Sequence, residues 1–247
     1  LKPGWRQRAR SEEQIGRRRG HRAPRRVILV VCEDAKSSPG YFDALRRRLR
    51  LSTARVEICG EQCGSAPISV VDYAIHRRNE CHQAGDLVDL VYCVVDVDKH
   101  DSLHQALDKA RSNKLEVAVS SPCFELWYLL HFGPGGRPYA NCDQLVRELK
   151  RHILGYDKGR LDIFDVLWER MPVAIKHARQ LIELRGDRRL RNPSTEVHVV
   201  VETFLAEARS GPPLDGPAGS DIDGGVDGAA KALRGGREQA KRAATKR

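Results

Sequence analysis

Two apolar runs decide the fold: Arg26-Val27-Ile28-Leu29-Val30-Val31-Cys32-Glu33 and Leu90-Val91-Tyr92-Cys93-Val94-Val95-Asp96-Val97-Asp98. Both are rich in β-branched residues and almost continuously apolar, as strands buried on both faces of a parallel sheet are. Each ends in acid. In an open α/β sheet, ligands bind beyond the carboxyl ends of the strands, where the strand order reverses. If the two strands are neighbours, Glu33, Asp96 and Asp98 converge on that rim. Asp96 and Asp98 point the same way in an extended segment. Carboxylates packed together repel one another unless a cation lies between them, and ligation by oxygen alone favours Mg²⁺ or Mn²⁺ over zinc. Asp is also a good turn former, so the Asp96-x-Asp98 pair taken alone reads equally well as a strand-end turn.

Outward from these strands, residues 25–140 alternate strand and helix patterns. A helix is expected from Pro39, with Tyr41, Phe42, Leu45 and Leu49 at helical spacing. A strand follows at Arg55–Cys59, then a helix opened by Pro67. Beyond the Asp96 strand come a helix over Leu103–Arg111, a strand over Leu115–Val119 and an apolar helix, Phe124–Phe132, stopped by Gly133-Pro134-Gly135-Gly136. This alternation indicates βαβ units and a mainly parallel, Rossmann-type sheet flanked by helices, an α/β fold. Residues 141–208 read as a helical extension with helices over Asp143–Leu154, Leu161–Glu169, Val173–Leu184 and Ser194–Ala208. Asn192-Pro193-Ser194-Thr195 reads as a turn, with Asn192 and Thr195 capping the last helix. The extension is expected to lie apart from the acidic rim and to offer a docking surface. Residues 1–24, Arg-rich and poor in apolar side chains, read as a disordered basic arm, and residues 209–247 as a disordered tail.

The 247 residues carry 43 Lys and Arg against 33 Asp and Glu, a formal net charge of +10 and a pI of about 9.5. Such a balance fits a polyanionic partner, most simply nucleic acid. No apolar run reaches the roughly 18 residues of a membrane span, and no apolar segment follows the N-terminal charges as in a secretory signal. The seven cysteines are odd in number and include no CxxC pair. Cys59-x-x-x-Cys63 has no second pair, so neither a disulfide framework nor a zinc site is expected. The expectation is a reduced, cytoplasmic protein.

The exit of the first strand, Glu33-Asp34-Ala35-Lys36-Ser37-Ser38, has neither the GxxxxGK[ST] of a P-loop nor the GxGxxG of a dinucleotide site. A metal–diphosphate transferase also uses a DxD pair, yet has no evident need of Glu33 or of basic arms. The rim carboxylates could clamp a divalent ion on a phosphodiester, or Glu33 could move protons as a general acid or base. Lys36 and Glu125 lie close to the expected rim and join the candidate catalytic set. Lys99, His100, Lys158 and Arg160 are candidate nucleic-acid contacts. Glu125 at a helix start also suits the helix dipole. His131 near the helix end has an equally plain structural reading, and Trp127 and Trp168 read as core.

These residues carry a resemblance. Glu at the end of the first strand and DxD at the end of a later one resemble the Toprim metal site of primases, topoisomerases and OLD-type nucleases. More closely, the chain resembles the RloB family, Toprim-related proteins found with abortive-infection systems. The matching segments are Val30–Glu33, Tyr41-Phe42, Val95-Asp96-Val97-Asp98-Lys99-His100, the run Ser121-Pro122-Cys123-Phe124-Glu125-Leu126-Trp127-Tyr128-Leu129-Leu130-His131-Phe132, and Asn192–Thr195. The family usually reads E-G-x-x-T-E after the first strand. Here Asp34 stands at the Gly, Ser37 at the Thr and Ser38 at the second Glu, so a carboxylate is missing at 38. The resemblance implies a Toprim-like fold and a Mg²⁺-dependent nuclease, acting on RNA, tRNA or DNA in anti-phage defence beside an ABC-type ATPase. The competing reading is a non-catalytic nucleic-acid-binding subunit with a degraded metal site.

Overall fold

A computed structural model describes residues 26–58, 66–97, 102–158, 160, 162–185 and 191–210. The basic arm and nearly all of the 209–247 tail lie outside these residues, as do Cys59, Cys63, Asp98, Lys99 and His100. Among the described residues the sheet has five strands: β1 (Ile28–Cys32), β2 (Ala54–Ile58), β3 (Leu90–Asp96), β4 (Glu116–Ser121) and β5 (Ser194–Thr195), in the order β2-β1-β3-β4-β5. The first four pair in parallel, with Ile28 opposite both Ala54 and Leu90, and β5 closes one edge antiparallel to β4. The architecture is therefore the α/β fold the strand–helix alternation implies. The two acid-bearing strands are neighbours, and the order reverses between them.

Side-chain alternation along β1 and β3 sorts the helices into two layers. Leu29, Val31, Val91, Cys93 and Val95 face a core shared with α2 (Pro67–Gln83) and α3 (Leu103–Ser112), through Val70, Val71, Ala74, Leu103 and Ala106. Ile28, Val30, Cys32, Tyr92 and Val94 face the larger core. That core is covered by α1 (Ser37–Arg48) and by the C-terminal helices α4 (Glu125–Leu129), α5 (Cys142–His152), α6 (Ile163–Trp168), α7 (Met171–Arg185) and α8 (Val197–Ser210). Trp127 and Trp168 are buried in it. Tyr41 sits at the hub of its aromatic cluster, with Phe42, Phe124, Trp127, Tyr128 and Phe164 at ring separations of 5.4 to 6.1 Å. Contacts at these spacings add about 0.5–1.5 kcal/mol per pair beyond area burial.

The extension is more tightly joined to the sheet than its composition suggests. Ser194 and Thr195 form β5 and do not start a helix; the Thr195 hydroxyl bonds that of Ser120 at 2.9 Å, and α8 begins at Val197. The Thr195 hydroxyl also accepts the N–H of Val197, the first residue of α8, at 3.3 Å, so the cap expected of Thr195 is present, whereas Asn192 is not a cap. Its Oδ1 accepts the Tyr139 N–H at 3.0 Å and its amide donates to the Tyr139 carbonyl, pinning the loop before α5. Pairing with the edge of β4 thus coexists with the cap chemistry that the Ser-Thr pair advertises. Buried Glu207 of α8 accepts from the Arg26 N–H at 3.1 Å and Nε at 2.6 Å, fastening the last helix to the entry of β1. Helix α8 runs to Ser210, past the expected start of the tail. Helix α4 is shorter than Phe124–Phe132, because the chain after Leu129 turns through buried Leu130 and His131 toward Gly135, whose φ of +57° suits glycine.

His131 is a core residue. Its Nδ1–H donates to the Trp127 carbonyl at 2.9 Å, and burial pushes its pKa down to about 3. Burial, aided by Arg179, likewise holds His198 at about 4. Both rings are neutral in the fold, whereas unfolded imidazoles titrate near 6.5. The stability they permit is full above that value and is lost as pH falls from about 6.5 toward 4. His131→Asn keeps a donor near the Trp127 carbonyl. It is expected to remove about half of the pH slope of unfolding free energy over this window, measured by urea denaturation. An unchanged slope would acquit the buried rings.

Candidate functional site

The site lies where β1 and β3 release the chain side by side. Pairing continues one residue past β1, with the Glu33 N–H donating to the Val94 carbonyl at 3.0 Å. There the backbone turns away, and the Glu33 side chain takes over. Its Oε2 accepts the Asp96 N–H at 3.0 Å, where a longer β1 would have offered a carbonyl. Asp96 follows Tyr92 and Val94 toward the α4 side of the sheet. Glu33 and Asp96 are thus brought together at the strand-order reversal, both half-buried. Asp98 lies outside the described residues.

The sequence reading missed Asp34. It looked like a substituted glycine, yet its carboxylate accepts N–H bonds from Lys36 at 3.1 Å, from Ser37, and from Ser38 at 3.1 Å, together with the Ser38 hydroxyl. It thereby satisfies orphan donors at the start of α1, where a negative charge also meets the favourable end of the helix dipole. The carboxylate absent at 38 reappears from 34, in contact with the Ser38 hydroxyl. Two carboxylates in that contact would repel, which gives the paired departure a physical logic. The signal was present as Asp-x-x-Ser before an apolar helix.

Glu125 opens α4 and is only 1% exposed. Its Oε1 accepts from the Ser37 hydroxyl at 2.8 Å, from Lys158 Nζ at 3.1 Å and from the Tyr156 hydroxyl at 3.2 Å. The Tyr128 hydroxyl donates to the Ser37 carbonyl at 2.9 Å, bracing the same corner. Burial works to lower the Lys158 pKa, but the Glu125 carboxylate, with Asp96 and Asp34 behind it, outweighs that and holds it above the usual value. Lys158 is therefore an ammonium at the rim, its side chain 49% exposed and able to meet an incoming anion. Lys158 and Tyr156 belong to the segment expected to lie apart from the rim; the structure places them in it.

The other sequence candidates divide. Lys36 is exposed beside the rim. Arg160 already spends its guanidinium on Asp162, at 2.5 and 2.7 Å, and on the Leu154 carbonyl at 2.6 Å, which holds its loop closed. Lys99 and His100 lie outside the described residues. The expectation of no disulfide is corrected: Cys123 and Cys142 are bonded, with a Cα–Cα separation of 5.7 Å. They are 19 positions apart in sequence, and only the tertiary approach of α4 to the start of α5 brings them together. Glu125 Oε2 lies 3.4 Å from Cys142 Sγ. These three residues have a metal-site spacing, but the sulfurs are bonded to each other and Lys158 occupies the carboxylate.

Asp96 carries the electrostatic cost of this arrangement. Burial, then Glu125, Asp34 and Glu33, hold its pKa well above the usual aspartate value; the Phe124 N–H opposes them weakly. A carboxyl whose folded pKa is raised stabilises the fold only below its unfolded value near 3.9, and destabilises it as pH rises through the folded value. Asp96→Asn is therefore expected to raise the melting temperature of the metal-free protein at pH 7.5. The gain should vanish at about pH 3.5, where both proteins are neutral at this position. Equal melting temperatures at neutral pH would show that Asp96 bears no excess charge.

The residues present fit a divalent cation. Glu33 and Asp96 are adjacent carboxylates at the strand-order reversal, and Glu125, Asp34 and Glu33 add to the negative charge that Asp96 meets. Comparison with curated proteins finds no match, and comparison with solved structures finds none. A family model described as RloB-like protein matches residues 28–204, from the first residue of β1 to within α8. That span includes every strand and the whole rim described above, and the chain belongs to the RloB-like protein family.

Proposed function

We propose that this protein is a metal-dependent nuclease, hydrolysing phosphodiesters of RNA, tRNA or DNA as the cytoplasmic effector of a phage-defence system. The observation that carries the reading is the meeting of Glu33 and Asp96 at the β1/β3 reversal, in a basic chain. Glu33 and Asp96, with Asp98 beyond the described rim, would hold Mg²⁺ or Mn²⁺. When bound, the ion would neutralise phosphate charge and lower the pKa of an attacking water. The chain's own part is positioning. The hydrogen bond from the Asp96 N–H fixes the Glu33 carboxylate against the neighbouring strand, so that carboxylate need not be ordered when substrate arrives. Lys158, kept charged by Glu125, presents an ammonium to the phosphate. Glu125 is the buried anchor of that lysine, through its Oε1. Lys36, Lys99 and His100 would extend the phosphate contact.

A nuclease of this kind must be restrained in its host, and the resemblance suggests an ABC-type ATPase as the restraining partner. The outer faces of α5–α8 remain the proposed docking surface, now with the provision that the α5–α6 connection serves the rim. The test is cleavage of labelled tRNA, mixed RNA and plasmid DNA by the full chain, with Mg²⁺, with Mn²⁺ and with chelator. Glu33→Gln and Asp96→Asn are each expected to lower cleavage at least about 100-fold while leaving nucleic-acid affinity intact or raised. Lys158→Met is expected to weaken binding as well. Binding without cleavage in every condition would favour the non-catalytic subunit instead.

A further inference from the structure

Seven cysteines populate this chain, and among the described residues one pair is joined. Cys32, Cys81 and Cys93 are buried without a bridge, as small apolar side chains. The bonded pair sits beside the rim. Buried Cys123 lies two residues before Glu125, and half-buried Cys142 is the first residue of α5. Disulfides in reducing compartments are mostly transient and redox-responsive. The fold around this one does not depend on it. Phe124, Leu126, Trp127, Leu129 and Leu130 are buried on one side of the bridge, Leu145 and Leu149 on the other, and Asn141 Oδ1 caps α5 by accepting the Gln144 N–H at 2.9 Å. Opening the bond leaves that packing and that cap in place.

We infer that Cys123–Cys142 is a reversible dithiol–disulfide couple whose state sets the hydrogen bonding of the buried Glu125 carboxylate. A thiolate from a small or protein dithiol attacks Cys142 Sγ, the accessible sulfur. The S–S bond breaks, a mixed disulfide forms, and Cys123 leaves as thiolate and takes a proton. The reductant's second thiol then displaces Cys142, which is protonated in turn; the protein has gained two electrons and two protons, and the reductant has become a disulfide. In the bridged state Cys142 Sγ has no hydrogen, and Glu125 Oε2 faces bare sulfur at 3.4 Å. In the reduced state the same sulfur can donate an S–H to Oε2, a hydrogen bond to an ionised acceptor. Because Glu125 Oε1 holds Lys158, Tyr156 and Ser37, the couple reaches the rim ammonium through one carboxylate. The inference rests on the cytoplasmic placement proposed above and not on metal binding or cleavage.

Linkage makes it testable without any activity: if the couple stabilises Glu125, Glu125 must stabilise the reduced couple by the same factor. The full-length protein is equilibrated in reduced and oxidised dithiothreitol mixtures, trapped with an alkylating reagent under native conditions, and weighed by peptide mass spectrometry. The wild type should pass between bridged and dithiol forms reversibly, in one two-electron transition. In Glu125→Gln the reduced form loses its ionised acceptor, so the bridge should be favoured by at least about threefold in the equilibrium constant. The infrared S–H stretch of reduced wild type gives a second reading should that variant not fold. The band lost in Cys142→Ser should lie below those of the remaining thiols. A bridge that opens only in denaturant overturns the inference, as does an equilibrium constant unchanged by Glu125→Gln or, where that variant does not fold, an unshifted band. Failure of cleavage or of metal binding would touch the nuclease reading alone.

Discussion

A carboxylate with 1% exposure is tolerated only if it is both paired and hydrogen-bonded, and Glu125 meets that demand by recruiting two distant segments. Ser37 comes from the first turn of α1, and Tyr156 and Lys158 from the connection after α5. Satisfying Glu125 draws the C-terminal helices onto the carboxyl rim of the sheet. The same interaction places one ammonium where it meets the charges of Asp96 and Asp34. Without Lys158 the rim would combine buried negative charges with no internal compensation. With it the charge is reduced but not cancelled: after burial, the Glu125, Asp34 and Glu33 carboxylates still raise the Asp96 pKa. The residual excess is the property that suits the rim to a cation.

The parts of this architecture that depend on local pattern were legible in the sequence. Near-continuous β-branched runs gave parallel strands, and acids at their ends marked the rim, because strand ends are fixed by where the apolar run stops. Glu125 was placed near the rim for the same reason: it follows the fourth strand directly. The run from Ser121 to Phe132 was the most specific part of the resemblance, and its setting explains why. It carries Cys123, the aromatic rings that enclose Tyr41, and Glu125, so fold, bridge and site converge on a dozen consecutive residues.

What escaped the sequence depends on tertiary approach. Ser194 and Thr195 carry helix-start chemistry, and only the open edge of β4 makes them a strand. Asn192 has a good cap side chain, which the backbone of Tyr139 takes. Cys123 and Cys142 have no spacing signature, since their meeting depends on how α4 packs on α5. Asp34 was hidden by comparison with a glycine; read for its own chemistry, three residues before a serine at a helix start, it is a capping carboxylate. Lys158 was named as a phosphate contact from its Gly-rich loop. Its contact with Glu125 ties that loop to the rim, while the Arg160 beside it is consumed within the loop.

The proposed chemistry of the rim requires Glu33 and Asp96 together to hold a divalent cation at the β1/β3 reversal. Anomalous diffraction from crystals of the full chain soaked in Mn²⁺, collected on wild type and on Asp96→Asn, tests it most directly. One anomalous peak is expected within coordination distance, about 2.0–2.6 Å, of both carboxylates in the wild type, absent or strongly weakened in the variant. Well-ordered crystals in which Glu33 and Asp96 keep their hydrogen bond and no manganese lies beside them would contradict it.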